Sequence, residues 1–401
     1  MHSLILAWAS LLLGFMLPMQ HAELSFYGEE VELTYPAELF ANGNLQVTGD
    51  GIDLYLLSAS SRDWDQLHSQ LDAYRVKWEL NDWLYFKLVH QTLDEIAGFV
   101  STSEQRVLEH HLLSLAGYDT RLCYDQRKGD IFIYVYTDEA MFEVPIIEDE
   151  NRKYVNLSAA LLPRKHHSRS LNMHPRRPNP AGEAFSFSLI DLPNLTPQLV
   201  ERPYFFTYQG EAQTIRTSSD RTIIQWMEDY PFFEEGLYME IPMSDAAGDQ
   251  LYGQLRTLLE GKSEAESLSY LAAFTRGAFD YKEDKKAFGY SKPMIAEETL
   301  FYAQSDCEDR SALYFNLVKE LLDVPIIAIA YNDHLSVAVA SKELKGKAYW
   351  HDGKRYRVCD PTGPSGSSEV GNPPHGYANR RFEVVASYDP EVLAKAKKQD
   401  N

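Results

Sequence analysis

Tyr302–Pro325 reads YAQSDCEDRSALYFNLVKELLDVP, and this stretch decides the fold. Ala312, Leu313, Phe315, Leu317, Val318, Leu321 and Leu322 recur at helical spacing and make one broad apolar stripe. Asp323 and Pro325 mark the end of that helix, and Ser305 or Asp306 is a suitable N-cap. Cys307 thereby falls in the first turn. Unpaired N–H groups and the positive end of the helix dipole favour a thiolate there, and a thiolate is the working form of a cysteine nucleophile. The bland alternative is a small buried hydrophobe.

Outward from the helix, VPIIAIAYNDHLSVAVAS reads as strand, tight turn and strand, with His334 opening the second strand. KGKAYWHDGKRYRVCDPTGP follows as a hairpin with a glycine-containing turn, and Asp360 ends its last strand. Neighbouring antiparallel strands can hold a carboxylate beside an imidazole, fixing its tautomer and supporting the imidazolium. Taken singly, the histidine reads as structural and the Asp before Pro361 as a turn former. Together, cysteine, histidine and aspartate on helix, strand and strand are what nucleophilic acyl chemistry needs. Alternation along the strand turns Cys359 away from Asp360, so Cys359 is expected to be buried and no disulfide partner of Cys307. Cys123 is expected in the core. Three cysteines do not make a disulfide framework, and their spacing fits no zinc site.

The chain has 401 residues, 44% hydrophobic, enough for two or three domains with full cores. A net charge of −21 argues against general nucleic-acid binding and against docking on an anionic membrane. MHSLILAWASLLLGFMLPMQHA, residues 1–22, reads as a secretory signal: an apolar run from Leu4 to Leu17 ends near the small residue Ala22. No Lys or Arg precedes the run, and Gln20 is a poor residue for its position. The expected location is exported, periplasmic or secreted, with no span after cleavage.

Residues 23–150 read as a mixed α+β module. LSFYGEEVELTY and GIDLYLLSAS, within residues 24–60, suggest strands. Helices follow from Trp64 to Ala116, one capped by Asn81 and one closed by Gly117. DIFIYVYTD and AMFEVPII suggest a hairpin around Asp138 and Glu139. Residues 151–243 read as a β-rich middle module, with strands in AFSFSLIDL, RPYFFTYQG and LYMEIPM and a Pro/Arg-rich exposed loop at 163–182. His166, His167 and His174 in that loop read as solvated side chains rather than a metal cluster. Residues 244–401 make the third unit, helical over 247–279. The layout SEQRVLEHHLLSLAGYDTRLCYD…DIFIYVYTD echoes that of the Cys307 segment without its cysteine or histidine. It is either an inactive duplicate or a common helix–strand–strand arrangement, and the second is slightly preferred.

FDYKEDKKAFGYSKPMIAEETLFYAQSDCEDRSALYFNLVKEL with DHLSVAVA and YRVCDPT resembles the transglutaminase-like superfamily over residues 250–375, closest to secreted bacterial members with an SDCEDRS box. The resemblance implies an α+β chain whose C-terminal domain has a papain-like core, preceded by β-rich or mixed N-terminal modules. It implies Cys307 as nucleophile, His334 as general base and acid, and Asp360 as the orienting carboxylate. The family attacks amide carbonyls through a thioester. The backbone N–H of Cys307 would serve the oxyanion, with Gln304 or Tyr302 as a further donor. In related bacterial cysteine peptidases a similar Asp-Cys-Glu run helps hold calcium, which makes Asp306 and Glu308 candidate ligands. Otherwise Glu308 and Asp309 are acids placed for the helix dipole, and they oppose thiolate formation. The expected function is an exported cysteine hydrolase of peptide amide bonds, its partner a protein or peptide substrate. It requires no cofactor, although calcium is compatible. The alternatives are a non-catalytic binding or assembly module of a cell-surface system and a transglutaminase using an amine acceptor.

Overall fold

The computed structural model describes residues 18–40, 44–160, 171–363 and 369–399. The apolar run Leu4–Leu17, His166 and His167 lie outside them. The fold is mixed α and β. Among the described residues no helix is long and apolar enough to cross a membrane.

The N-terminal half opens with the hairpin β1 (Met19–Phe26) and β2 (Glu29–Pro36). Four helices follow: α1 (Gly49–Ser60), α2 (Asp65–Lys77), α3 (Asp82–Ile96) and α4 (Thr102–Leu115). Then come β3 (Thr120–Asp125), β4 (Asp130–Tyr136), β5 (Ile146–Asp149), β6 (Arg152–Asn156), the short α5 (Leu157–Ala160) and β7 (Asn172–Met173). The C-terminal half opens with a second hairpin, β8 (Leu199–Tyr208) and β9 (Glu211–Asp220). The helices α6 (Arg221–Met227), α7 (Glu235–Glu240), α8 (Asp245–Leu259) and α9 (Glu264–Gly277) come next. Short β10 (Asp280–Tyr281), α10 (Asp284–Ala287), α11 (Ala296–Phe301) and β11 (Gln304–Ser305) lead into α12 (Cys307–Leu322). The chain closes with β12 (Ile326–Tyr331), β13 (His334–Val339), β14 (Ala348–His351), β15 (Lys354–Val358), β16 (Glu383–Tyr388) and α13 (Pro390–Gln399).

The two halves share one topology. One five-stranded sheet has the order β5-β6-β4-β3-β7 and the other β14-β15-β13-β12-β16, the same order once the strands are counted from the preceding helix. The registers coincide as well. Tyr331 faces His334 as Asp125 faces Asp130, Ala338 faces Val358 as Tyr134 faces Asn156, and Ala348 faces Arg357 as Ile146 faces Val155. The turns Glu150–Asn151 and Asp352–Gly353 both carry two residues at positive φ, the geometry of a two-residue hairpin turn. Tyr27–Gly28 and Gln209–Gly210 do the same at the tips of the opening hairpins. The echo in the sequence thus extends to the strand order of the two sheets and to the registers of four strands in each.

Each half has its own core. Trp83, Phe86, Leu88 and Leu112 are buried in the first, and Leu251, Leu271, Leu313, Leu317 and Val337 in the second. Residues 151–243 form no separate core: Phe185, Trp226 and Phe233 join the first, Tyr204, Phe206 and Ile215 the second.

Several local expectations are corrected. GIDLYLLSAS lies largely in helix α1, where Thr48 Oγ1 caps Gly51 N at 3.1 Å and Ile52, Leu56 and Ala59 share one buried face. DIFIYVYTD pairs with β3, not with AMFEVPII, because the tight turn after Asp149 joins β5 to β6. LYMEIPM contributes to helix α7. AFSFSLIDL does alternate, burying Phe185, Phe187 and Leu189, yet it joins no sheet. Phe185 N donates to Tyr136 O at 2.8 Å, and carboxylates take the next two N–H groups: Ser186 N donates to Asp82 Oδ2 at 2.8 Å and Phe187 N to Glu139 Oε2 at 2.9 Å. Within the segment 163–182, the part from Leu171 onward is docked. His174 is buried with its Nε2 3.5 Å from Asp53 Oδ1, and Arg177 Nε donates to buried Asp119 at 2.9 Å. The expected cleavage point after Ala22 falls inside β1, opposite Leu33.

Candidate active site

Asp306 caps α12, and its N–H donates to Asp309 Oδ2 at 2.9 Å, which closes the first turn and sets Cys307 as its first residue. Ala312, Leu313, Phe315, Leu317 and Val318 bury the apolar stripe against the C-terminal sheet, so the helix start is fixed over β13. His334 is the first residue of β13. Two residues along, alternation puts Ser336 on the same face. Both reach one carboxylate oxygen: His334 Nε2 lies 3.0 Å from Asp360 Oδ1, and Ser336 Oγ donates to it at 3.0 Å. Arg276 Nε donates to the Asp360 carbonyl at 2.9 Å. Asp360 is buried, yet these donors and the imidazole hold its carboxyl below the ordinary range despite the cost of burial.

Cys307, Glu308, Tyr331, Asp333, His334 and Leu335 line one cavity of about 230 Å³. Cysteine, histidine and aspartate are thus gathered as the sequence suggests. The thiol is held otherwise than expected. Cys307 Sγ donates to Glu308 Oε2 at 2.8 Å; among the described residues no hydrogen bond joins it to His334. Burial and then the Glu308 charge push the thiol pKa well up, while the Leu335 N–H pulls it down. Burial and Glu308 thus work against the thiolate that the helix mouth favours.

Glu308 is itself pushed up to about 8, first by burial and then by a hydrogen bond with Asp306. A second acidic group lies behind. Asp284, Asp306 and Asp309 bring carboxylate oxygens within 4.8 Å of one another, and Asp306 also joins Cys307 and Glu308 in a neighbouring group. Asp284 is pushed up to about 7 by burial and by Asp306. Buried Oδ1 atoms of Asp284 and Asp306 lack hydrogen-bond partners, which are unsatisfied acceptors inside the protein.

The two expected side-chain donors part company. Gln304 on β11 stands half-buried and, among the described residues, engages no hydrogen bond through its side chain. Tyr302 turns away: its ring packs on Phe288 at 5.3 Å, with Lys292 Nζ 5.6 Å over its face. Sequence reasoning missed Arg310, in the same SDCEDRS run. Its guanidinium is buried and donates to Ser305 Oγ at 3.0 Å, Phe279 O at 2.6 Å and Thr362 O at 2.8 Å. It joins the segment before Cys307 to the segment after Asp360. The signal was a cation inside an otherwise apolar helical repeat.

Among the described residues the N-terminal half does not repeat the cysteine, histidine and aspartate. Register equivalence puts Asp130 in the place of His334 and Ser158 in that of Asp360, and Thr102 opens α4 as Cys307 opens α12. Its turn is two residues longer, and Ser103 Oγ donates to Gly129 O at 2.7 Å across the place of the cavity. Of the other cysteines, Cys123 and Cys359 are buried and free, as expected. Comparison of the chain with protein-family models, curated proteins and solved structures gives no match.

Proposed function

We propose that the chain is an exported cysteine hydrolase of transglutaminase-like type, cutting peptide amide bonds through a thioester. The observation that carries this reading is the 3.0 Å contact of His334 with Asp360 beside a cavity shared by His334 and Cys307. Asp360 on Nε2 leaves Nδ1 as the nitrogen for the thiol. Nδ1 takes the Sγ proton once Glu308 releases it. The sulfur attacks the carbonyl carbon, and the backbone N–H of Cys307 can donate to the oxyanion. The C–N bond breaks and the amine leaves with the imidazolium proton. Water, deprotonated by the imidazole, then splits the thioester and regenerates the thiol.

Asp284, Asp306 and Asp309 suit a hard cation such as calcium, since they offer only oxygen and two of those oxygens are otherwise unsatisfied, and Glu308 lies beside Asp306 in the neighbouring group. A bound cation supplies positive charge that neutralises the acids beside the thiol. These residues would hold it; the proton transfers belong to His334.

The test is digestion of a peptide library by the mature protein with a Cys307→Ala control, with and without calcium. Cleavage lost in the control supports the reading. Cleavage surviving in the control, or none from the wild type in either condition, refutes it and favours a binding module with an idle triad.

A further inference from the structure

Two tyrosines lie near Cys307 and His334 and take no part in the proton transfers. Tyr281 ends β10, opposite Ser305 on β11, on the segment that feeds into α12. Its ring is 54% exposed. Beneath it the Arg310 guanidinium lies 5.4 Å from the ring centroid, locked by its bonds to Ser305, Phe279 and Thr362. The ring therefore rests on a fixed cation. Tyr281 also senses Cys307, Asp306 and Glu308, whose charges add to burial in raising its pKa.

Tyr377 approaches from the sheet side. Its ring lies 5.1 Å from the His334 ring and 4.9 Å from Tyr331. Its hydroxyl donates to Asp333 Oδ1 at 3.2 Å, and the Arg380 guanidinium covers its outer face at 4.1 Å. Arg380 in turn grips both Asp333 oxygens, at 2.7 and 2.8 Å. Tyr377 is half-buried, and a single exposed tyrosine such as Tyr281 means little by itself. Here two are braced by arginines, one beside the segment that leads into Cys307 and the other against His334.

We propose that Tyr281 and Tyr377 are facing walls of an acyl-donor groove, and that the substrate is an extended polypeptide segment held between the two rings above Cys307. This inference rests on the hydrolase reading. Flat peptide groups pack on aromatic faces, and phenol hydroxyls donate to peptide carbonyls. A small amide or alkylating agent cannot span both walls, so it gains nothing from them.

The experiment compares two probes of Cys307 by mass spectrometry: iodoacetamide, and a set of peptidyl acyloxymethyl ketones. With the ketones a C–S bond forms at the methylene while its C–O bond breaks and the carboxylate leaves. In Tyr281→Ala and Tyr377→Ala, peptidyl labelling should slow by about tenfold or more, while iodoacetamide labelling stays within about twofold. Tyr281→Phe and Tyr377→Phe keep the walls and should retain most of the peptidyl rate. Equal peptidyl rates in wild type and alanine variants overturn the groove and leave the hydrolase intact. So does a parallel fall with both probes, which would mean that the tyrosines act on the thiol. A wild-type Cys307 labelled by neither probe removes the hydrolase reading, and the groove with it.

Discussion

His334 Nε2 and Asp360 Oδ1 lie 3.0 Å apart across 26 residues of sequence, one at the start of β13 and the other just beyond the end of β15. Ser336 shares the same oxygen, so the carboxylate stays anchored when the imidazole is changed.

Asp360→Asn removes the charge and keeps the shape. An amide can present its N–H₂ to Nε2 and so favour the wrong tautomer. Peptide cleavage should fall by about a hundredfold or more, while the melting temperature moves by only a few degrees. Rates within about threefold of wild type would show that the acid does not orient the histidine.

Glu308→Gln should raise thiol reactivity. Glu308 takes the Cys307 S–H and adds its charge to the site; both effects hold the proton on sulfur. A neutral amide removes the charge, so the folded-state thiol pKa drops and more thiolate exists at pH 8. Iodoacetamide should label Cys307 several-fold faster than in the wild type at that pH. Cys123 and Cys359, each buried and pushed up to about 12, should remain unlabelled in both proteins. Slower labelling of the variant would mean that Glu308 assists ionisation.

The helix, the strands after it and the meeting of His334 with Asp360 were legible because each follows from local periodicity and capping. The thiol's partner was not. Glu308 precedes no turn and breaks no period, and its burial beside Asp306 and the adjacent sulfur follows from tertiary packing rather than from local pattern. Nor was the path of Phe185–Leu189 legible. Alternation told which faces were buried, but the backbone partners are the Tyr136 carbonyl and the carboxylates of Asp82 and Glu139, which lie far off in sequence. The likeness of the two sheets was visible only as an echo in layout, because strand order and register are set by pairings between distant residues.

Arg310→Met tests the buried cation. Its loss leaves the carbonyls of Phe279 and Thr362 and the hydroxyl of Ser305 without a donor inside the protein. Unsatisfied buried acceptors cost about 1–3 kcal/mol each, although methionine regains part of that by packing. Urea unfolding should show a loss of about 2–4 kcal/mol. A change below about 0.5 kcal/mol would show that the guanidinium is dispensable to the fold.

Acid should destabilise the N-terminal half through His110. Burial, then the charge of His111, lowers the His110 pKa to about 3. In the unfolded chain a histidine titrates near 6.5, at about its ordinary value. Between those values the unfolded state binds the extra proton, so stability falls as pH drops below about 6.5 and the loss continues toward pH 3. The raised carboxyls of Asp284 and Glu308 act in the opposite sense, because their folded forms bind protons first and so gain stability as pH falls. A bare pH profile mixes the two signs, whereas a variant separates them. His110→Gln keeps a polar group near Thr120 Oγ1, which lies 2.8 Å from His110 Nδ1, and cannot charge. Urea unfolding of both proteins at pH 7 and pH 4.5 should show the wild type losing about 2 kcal/mol relative to the variant over that interval. Parallel profiles would mean that His110 takes up its proton in the folded protein, and the buried neutral imidazole would have to be abandoned.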